Sequence, residues 1–165
     1  MIRRQAAIAV GLFLLLGSAR GAWSQGPGND EAEAMRALDA FLIGWNSGDV
    51  RKYASALHFP HVFLEAGTVR TFTDEPQFLE VGAGHWAGVQ PEWNQTVWEQ
   101  RKVVQQIGDT IHIAGRWARL DKSGKVLSKA DVMYVVVKKN GRWALFARSG
   151  SRAAQGSPVP RGSQN

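Results

Sequence analysis

Met35, Leu38, Phe41, Leu42 and Trp45 recur at three- and four-residue steps and fall on one stripe, which is the period of a helical face. Asn29 and Asp30 are candidate caps, and Asp30 with Glu33 has the spacing of a capping box. Asn46-Ser47-Gly48 predicts the stop, with Gly48 in the left-handed position that ends many helices. Asp49 then caps a second helix with the stripe Val50, Tyr53, Ala54 and Leu57. Pro60 ends it, because the residue before a proline is pushed out of the helical region. Residues 62–66 and 68–72 read as two short strands around Gly67. Thr73-Asp74 opens a third, short helix anchored by Phe78 and Leu79, with Pro76 tolerated in its first turn. Residues 82–91 read as a loop.

The second half changes period. Residues 96–107, 111–120, 126–138 and 142–148 are four long strand candidates. Gly108-Asp109, Lys122-Ser123-Gly124 and Asn140-Gly141 separate them. Asn-Gly between two apolar runs predicts a tight antiparallel hairpin, since both central residues take positive φ. Helices followed by an antiparallel meander give an α+β class. Residues 151–165 are rich in Gly, Ser, Pro and Gln without apolar periodicity, and are expected to be a disordered tail.

The N-terminus changes the charge count. Arg3 and Arg4 precede an apolar run from Ala6 to Leu16, too short for the roughly 20 residues that span a bilayer, and Ala22-Trp23-Ser24 suits a small-x-small cleavage rule. Residues 1–24 therefore read as a signal peptide cut before Gln25, and the protein as exported, to a periplasm or the medium. An uncleaved membrane anchor is the alternative. Residues 25–29 become a linker and 30–150 a single domain. Removing Arg3, Arg4 and Arg20 leaves 17 basic against 14 acidic residues, a net charge of +3 instead of +6. No long basic run marks a nucleic-acid face. Cysteine is absent, which excludes a thiol nucleophile and thiolate metal ligands.

The order of elements resembles the nuclear transport factor 2-like superfamily, which includes ketosteroid isomerase, scytalone dehydratase and SnoaL-type cyclases. The stretches that carry the resemblance are F-L-I-G-W-N-S-G-D-V at 41–50, similar to that family's first-helix ending, and Y-V-V-V-K-K-N-G-R-W-A-L at 134–145, similar to its last hairpin. It implies a strongly curved antiparallel sheet wrapped round the N-terminal helices. The result would be a cone with an apolar cavity at its open end, often dimeric through the outer sheet face. It also implies that the junction holding H-F-P-H at 58–61 lies at the cavity mouth, with at least one of the two histidine rings facing in.

On that reading His61, held by the stiff joint after Pro60, is the candidate general acid or base, with Tyr53 beside it. A histidine suits that role near neutral pH, and the reading requires His61 in a cavity of about 300 Å³ or more. The alternative is structural: His58 satisfies carbonyls at a helix end and His61 bonds a neighbouring strand. Trp45, Trp86, Trp98 and Tyr134 are candidate wall residues, with His58 as a further ligand contact. Six tryptophans remain after cleavage, many for this length. Strand alternation puts His112, Ala114, Arg116 and Ala118 on one face and Ile111, Ile113, Gly115 and Trp117 on the other. If the first set faces inward, His112 and Arg116 become ligand contacts and Arg116 an anion clamp; if outward, they are surface or interface groups.

Other chemistry finds little support. H-x-x-H at 58–61, even joined by Asp49, Glu65, His85 or His112, is no metal site, because Pro60 breaks the register that would align the rings. The glycine-rich stretch at 82–88 is not a dinucleotide fingerprint, and there is no G-x-S-x-G elbow. The acid–base set of ketosteroid isomerase finds no residue-by-residue match. No cofactor is expected. Three functions stay open: an exported domain binding a small apolar or amphipathic ligand, an isomerase, dehydratase or cyclase-like enzyme using the pocket histidine, and an interaction module working through the outer sheet face. A homodimer is expected in each case.

Overall fold

The computed structural model describes residues 27–65 and 67–150. The expected signal segment at 1–24 with its expected cleavage point, residues 25 and 26 of the expected linker and the expected tail at 151–165 lie outside the described residues. The elements run α1 (Pro27–Asn46), α2 (Val50–Ser55), β1 (Leu57–Glu65), β2 (Thr68–Phe72), α3 (Glu75–Glu80), a 3-10 turn (Gly82–Trp86), β3 (Gln95–Ile107), β4 (Thr110–Leu120), β5 (Val126–Lys139) and β6 (Arg142–Gly150). Among the described residues no helix is long and apolar enough to cross a membrane.

The local signals act largely as expected. Ala34, Leu38, Phe41 and Trp45 make the buried stripe of α1. The helix starts at Pro27, so residues 27–29 are helix instead of linker. Proline is at home there because its missing N–H has no helical partner to lose. Asp30 falls in the first turn and binds Lys138 Nζ at 3.2 Å instead of closing a capping box. Gly48 sits at φ 66° past the end of α1. Asp49 caps α2 by accepting from Arg51 N at 2.9 Å, and Asp74 caps α3 by accepting from Gln77 N at 2.9 Å. Asn140 and Gly141 have φ of 55° and 76°, the paired positive values that a two-residue hairpin needs.

The junction after α2 differs from the expectation. The helix stops at Ser55, and β1 begins at Leu57, before Pro60. The carbonyls that would have continued the helix are taken by distant partners. Leu145 N donates to Ala56 O at 3.1 Å, and the Arg142 guanidinium donates to Ser55 O and Leu57 O, both at 2.9 Å. Pro60 follows a cis peptide and lies where the β1–β6 register shifts, a place where a strand needs no N–H.

The six strands form one sheet in the order β2-β1-β6-β5-β4-β3. It is mixed instead of wholly antiparallel: β1 runs parallel to β6, with Phe63 opposite Arg148 and Glu65 opposite Gly150. Bulges in the β3–β4, β4–β5 and β5–β6 pairings bend the strands and raise their twist. The sheet curls round α1, and the concave face holds the core. Gly44 permits the close crossing of α1 and α2, since a Cβ there would lie 2.7 Å from Lys52 O and 2.8 Å from Tyr53 Cα. The end of α1 is pinned to β3 by Asn46, whose amide donates to Thr96 O and accepts from Thr96 N, both at 2.8 Å.

Candidate functional site

Strand parity decides what the concave face offers. On β4, Ile111 and Ile113 are fully buried, and Trp117 and Arg119 follow on the same side. On β5, Val132, Tyr134 and Val136 point the same way. His112 and Arg116 therefore face outward. Arg116 is spent on a two-pronged pair with Asp131, Nε to Oδ1 at 2.7 Å and Nη2 to Oδ2 at 2.8 Å. That pair holds the Asp131 carboxyl below the usual carboxylate range and removes Arg116 as an inward clamp.

Between α1 and the concave face lies a cavity of about 80 Å³, widening to about 630 Å³ with its open mouth. Phe41, Leu42 and Trp45 form its helical wall. Phe63 and Glu65 come from β1, Thr96 and Trp98 from β3, Trp117 and Arg119 from β4, Tyr134 from β5, and Arg148 from β6. The expected wall residues Trp45, Trp98 and Tyr134 thus come together. Trp86 stands behind them: it stacks on Trp45 with 5.4 Å between ring centroids and donates its indole N–H to Trp45 O at 3.1 Å.

The histidines lie elsewhere. His61 is fully buried and neither ring nitrogen has a partner. Its ring meets Phe63 edge-on at 4.6 Å between centroids. Burial first, and the Arg148 charge second, lower its pKa to about 3, outweighing nearby carbonyls of Leu145 and Phe146 that favour the cation. His58 bridges β1 to the last hairpin, with Nε2 3.0 Å from Arg142 O and Nδ1 3.3 Å from Arg142 Nη2. Because Arg142 can only donate, Nδ1 accepts and Nε2 carries the proton. His85 lies flat on Phe78 at 4.0 Å, with Nε2 2.9 Å from Phe78 O. Burial lowers the pKa of both. Tyr53 packs edge-on against Trp45 and Phe78. Its hydroxyl is buried without a partner, and desolvation raises its pKa.

The junction is therefore not the cavity mouth. Neither Phe59 nor Pro60 lines the cavity; the far end of β1, at Leu64 and Glu65, does. His61 and Tyr53 belong to the packed aromatic core behind it. Among the described residues no three His, Cys, Asp or Glu side chains converge to hold a metal ion.

The polar groups that do reach the cavity are mostly donors. Thr96 Oγ1 accepts from the indoles of both Trp45 and Trp93, each at 3.1 Å, so its own proton is left to donate. Trp98 Nε1 and Arg119 Nε are buried without partners. Arg119 Nη1 makes two long bonds of 3.3 Å, to Gly88 O and Gln90 Oε1. Desolvation, and then the Arg148 charge, lower the Arg119 pKa against the opposing pull of Glu65. The Arg119 guanidinium lies over Trp117 at 4.9 Å and Trp45 at 5.8 Å, and Arg148 lies over Phe63 at 4.2 Å and Phe41 at 5.7 Å. Phe41, Phe63, Thr96, Trp117, Arg119 and Arg148 were not among the expected site residues. For Trp117 and Arg119 the available signal was the alternation of β4, once its inner parity is known.

Solved structures share this architecture at low identity. A protein of unknown function with a cystatin-like fold from Nostoc punctiforme superposes with a TM-score of 0.62 at 16% identity, covering 79% of this chain and 95% of the other. An NTF2-like protein with a cystatin-like fold from Novosphingobium aromaticivorans gives 0.61 at 15%, covering 78% and 84%. A ketosteroid isomerase-like protein from Erwinia carotovora gives 0.55 at 18%, covering 77% and 96%. Likeness at such identities speaks for the fold alone. No curated protein matches the sequence. The profile of one family, described as NTF2-like protein (DUF6841), matches residues 30–152, the whole sheet and all but the first three residues of its helices, and the chain belongs to that family.

Proposed function

We propose that this protein is an exported small-molecule-binding domain whose ligand sits in the cavity between α1 and the concave face of the sheet. The observation that carries the reading is the wall itself: six aromatic side chains surround the hollow, and none of the four histidines lines it. Apolar walls with a few convergent polar groups are the usual make-up of a ligand site. A general base needs to stand within hydrogen-bond reach of its substrate, and His61 does not line the space a substrate would occupy, so binding is favoured over turnover. Export rests on Arg3-Arg4 and the apolar run that follows; a mature N-terminus at Gln25 in the exported fraction, read by intact-mass spectrometry, tests it.

The test of binding uses an uncharged aromatic such as benzyl alcohol. It should shift the tryptophan emission saturably and raise the melting temperature. A folded Trp98→Ala protein should bind it several-fold more weakly. An emission spectrum indifferent to the probe would remove the reading. Pairing of two copies through the outer face, where Ala114, Met133, Val135 and Val137 lie together, belongs to the same proposal. Sedimentation velocity should give a dimer that Val135→Asp splits, and a wild-type monomer at high concentration would end that part.

A further inference from the structure

We propose that the natural occupant of this cavity is an anion, specifically a small monocyclic carboxylate, bound through the paired cations Arg119 and Arg148. The proposal deepens the binding reading and rests on it.

Charge is the first argument. Two guanidiniums enter one small, largely apolar hollow from β4 and β6, and neither makes a salt bridge with any described residue. Of the other described arginines, Arg36, Arg101 and Arg116 are each within 2.7 Å of a carboxylate. Arg51, Arg70 and Arg142, which have no salt bridge, are exposed to water, whereas Arg119 and Arg148 are half-buried. Partly buried cations without counter-ions are costly, and a bound anion removes the cost. One carboxylate on the wall, Glu65, stands exposed at the mouth, where water screens it.

Geometry is the second. Each guanidinium lies across aromatic faces, Arg119 over Trp117 and Trp45, Arg148 over Phe63 and Phe41. A guanidinium set against aromatic rings still has N–H groups to offer a carboxylate: Arg119 has its Nε unpartnered, while its Nη1 is engaged by Gly88 O and Gln90 Oε1.

Hydrogen-bond valence is the third. Three polar positions on the wall can only donate: Arg119 Nε and Trp98 Nε1 have no partner, and the Thr96 hydroxyl, accepting from two indoles, has only its proton to give. The Tyr134 hydroxyl, also on the wall, can donate as well as accept. A buried donor gains by meeting an acceptor and loses by meeting another donor or a hydrocarbon. Carboxylate oxygens are acceptors only.

Size is the fourth. The inner 80 Å³ of this open-mouthed cavity corresponds to roughly five to eight waters, which suits a single ring with a short acid arm. The aromatic walls then take the ring, and the arginines take the acid.

The experiment measures, by calorimetry and tryptophan emission, the affinity of the full-length mature protein for benzoate, phenylacetate and 4-hydroxybenzoate at neutral pH, each against its primary amide. The carboxylate should bind at least roughly tenfold tighter than its amide. Arg148→Gln and Arg119→Gln should each cost about tenfold or more for the acid and little for the amide. Equal affinity for acid and amide in the wild type overturns the anion proposal while leaving the cavity a binding site. If benzyl alcohol, acids and amides all fail to bind, both readings fall together. The wild-type comparison decides the matter even if an arginine variant does not fold.

Discussion

His61 shows how a single residue changes meaning between sequence and structure. Its place after a proline made it a candidate base, yet it is sealed among Phe63 and Phe78 with no partner for either nitrogen. Its pKa of about 3 lies below the unfolded value of 6.5. The unfolded chain therefore binds the proton first as pH falls, and stability is lost between about pH 6.5 and 3, on the order of 4 kcal/mol by the lower end. His58 and His85 act in the same direction. His61→Leu should match or exceed wild-type stability at pH 7 and lose less on acidification, as read by thermal melts from pH 7 to 4. A second residue-scale prediction concerns Thr96. Thr96→Val keeps the shape but leaves the Trp45 and Trp93 indoles without their acceptor, which should cost about 2–4 kcal/mol in urea unfolding. An effect below about 0.5 kcal/mol would mean that water replaces the hydroxyl.

At the scale of elements, the close crossing of α1 and α2 makes the clearest prediction. Gly44→Ala forces a carbon to within 2.7 Å of the Lys52 carbonyl, so the helices must separate. It should cost about 2–3 kcal/mol or more, against about 1 kcal/mol for Gly48→Ala, which meets only an unfavourable φ. The same elements show what the sequence made legible. Caps at Asp49 and Asp74, the stop at Gly48 and the Asn140-Gly141 turn are encoded by neighbours in the chain, and they fell where expected. The end of α2 did not, because the groups that capture its last carbonyls, Arg142 and the backbone N–H of Leu145, lie some ninety positions away. Alternation on β4 divided its residues into two sets correctly, but it carried no sign. The inward set was fixed only by the side on which α1 packs, and that choice replaced His112 and Arg116 with Trp117 and Arg119 at the site. Arg148 stayed invisible for the same reason: its significance comes from Phe63, a strand neighbour from the other half of the chain.

Across the whole molecule, the aromatic material is divided into two regions with different duties. Tyr53, Phe72, Phe78 and His85 interlock as a solid core, while Trp98 and Trp117 face a hollow. Substitutions in the first region should be read as changes in stability, and those in the second as changes in ligand affinity with stability largely kept. Phe78→Ala should therefore lose about 3–5 kcal/mol, whereas Trp117→Phe should stay close to wild type in thermal melts and alter binding of the aromatic probes.

The parallel pairing of β1 with β6 has one more consequence. That pairing joins the first described strand to the last, so its hydrogen bonds wait until the chain has been made as far as Gly150. Sheets dominated by such remote pairings assemble slowly, and a chain terminated near residue 141 would keep β1 without its central neighbour. Such a truncation should yield no smaller stable unit but an aggregation-prone fragment with an open strand edge, so the fold is all-or-nothing along its length.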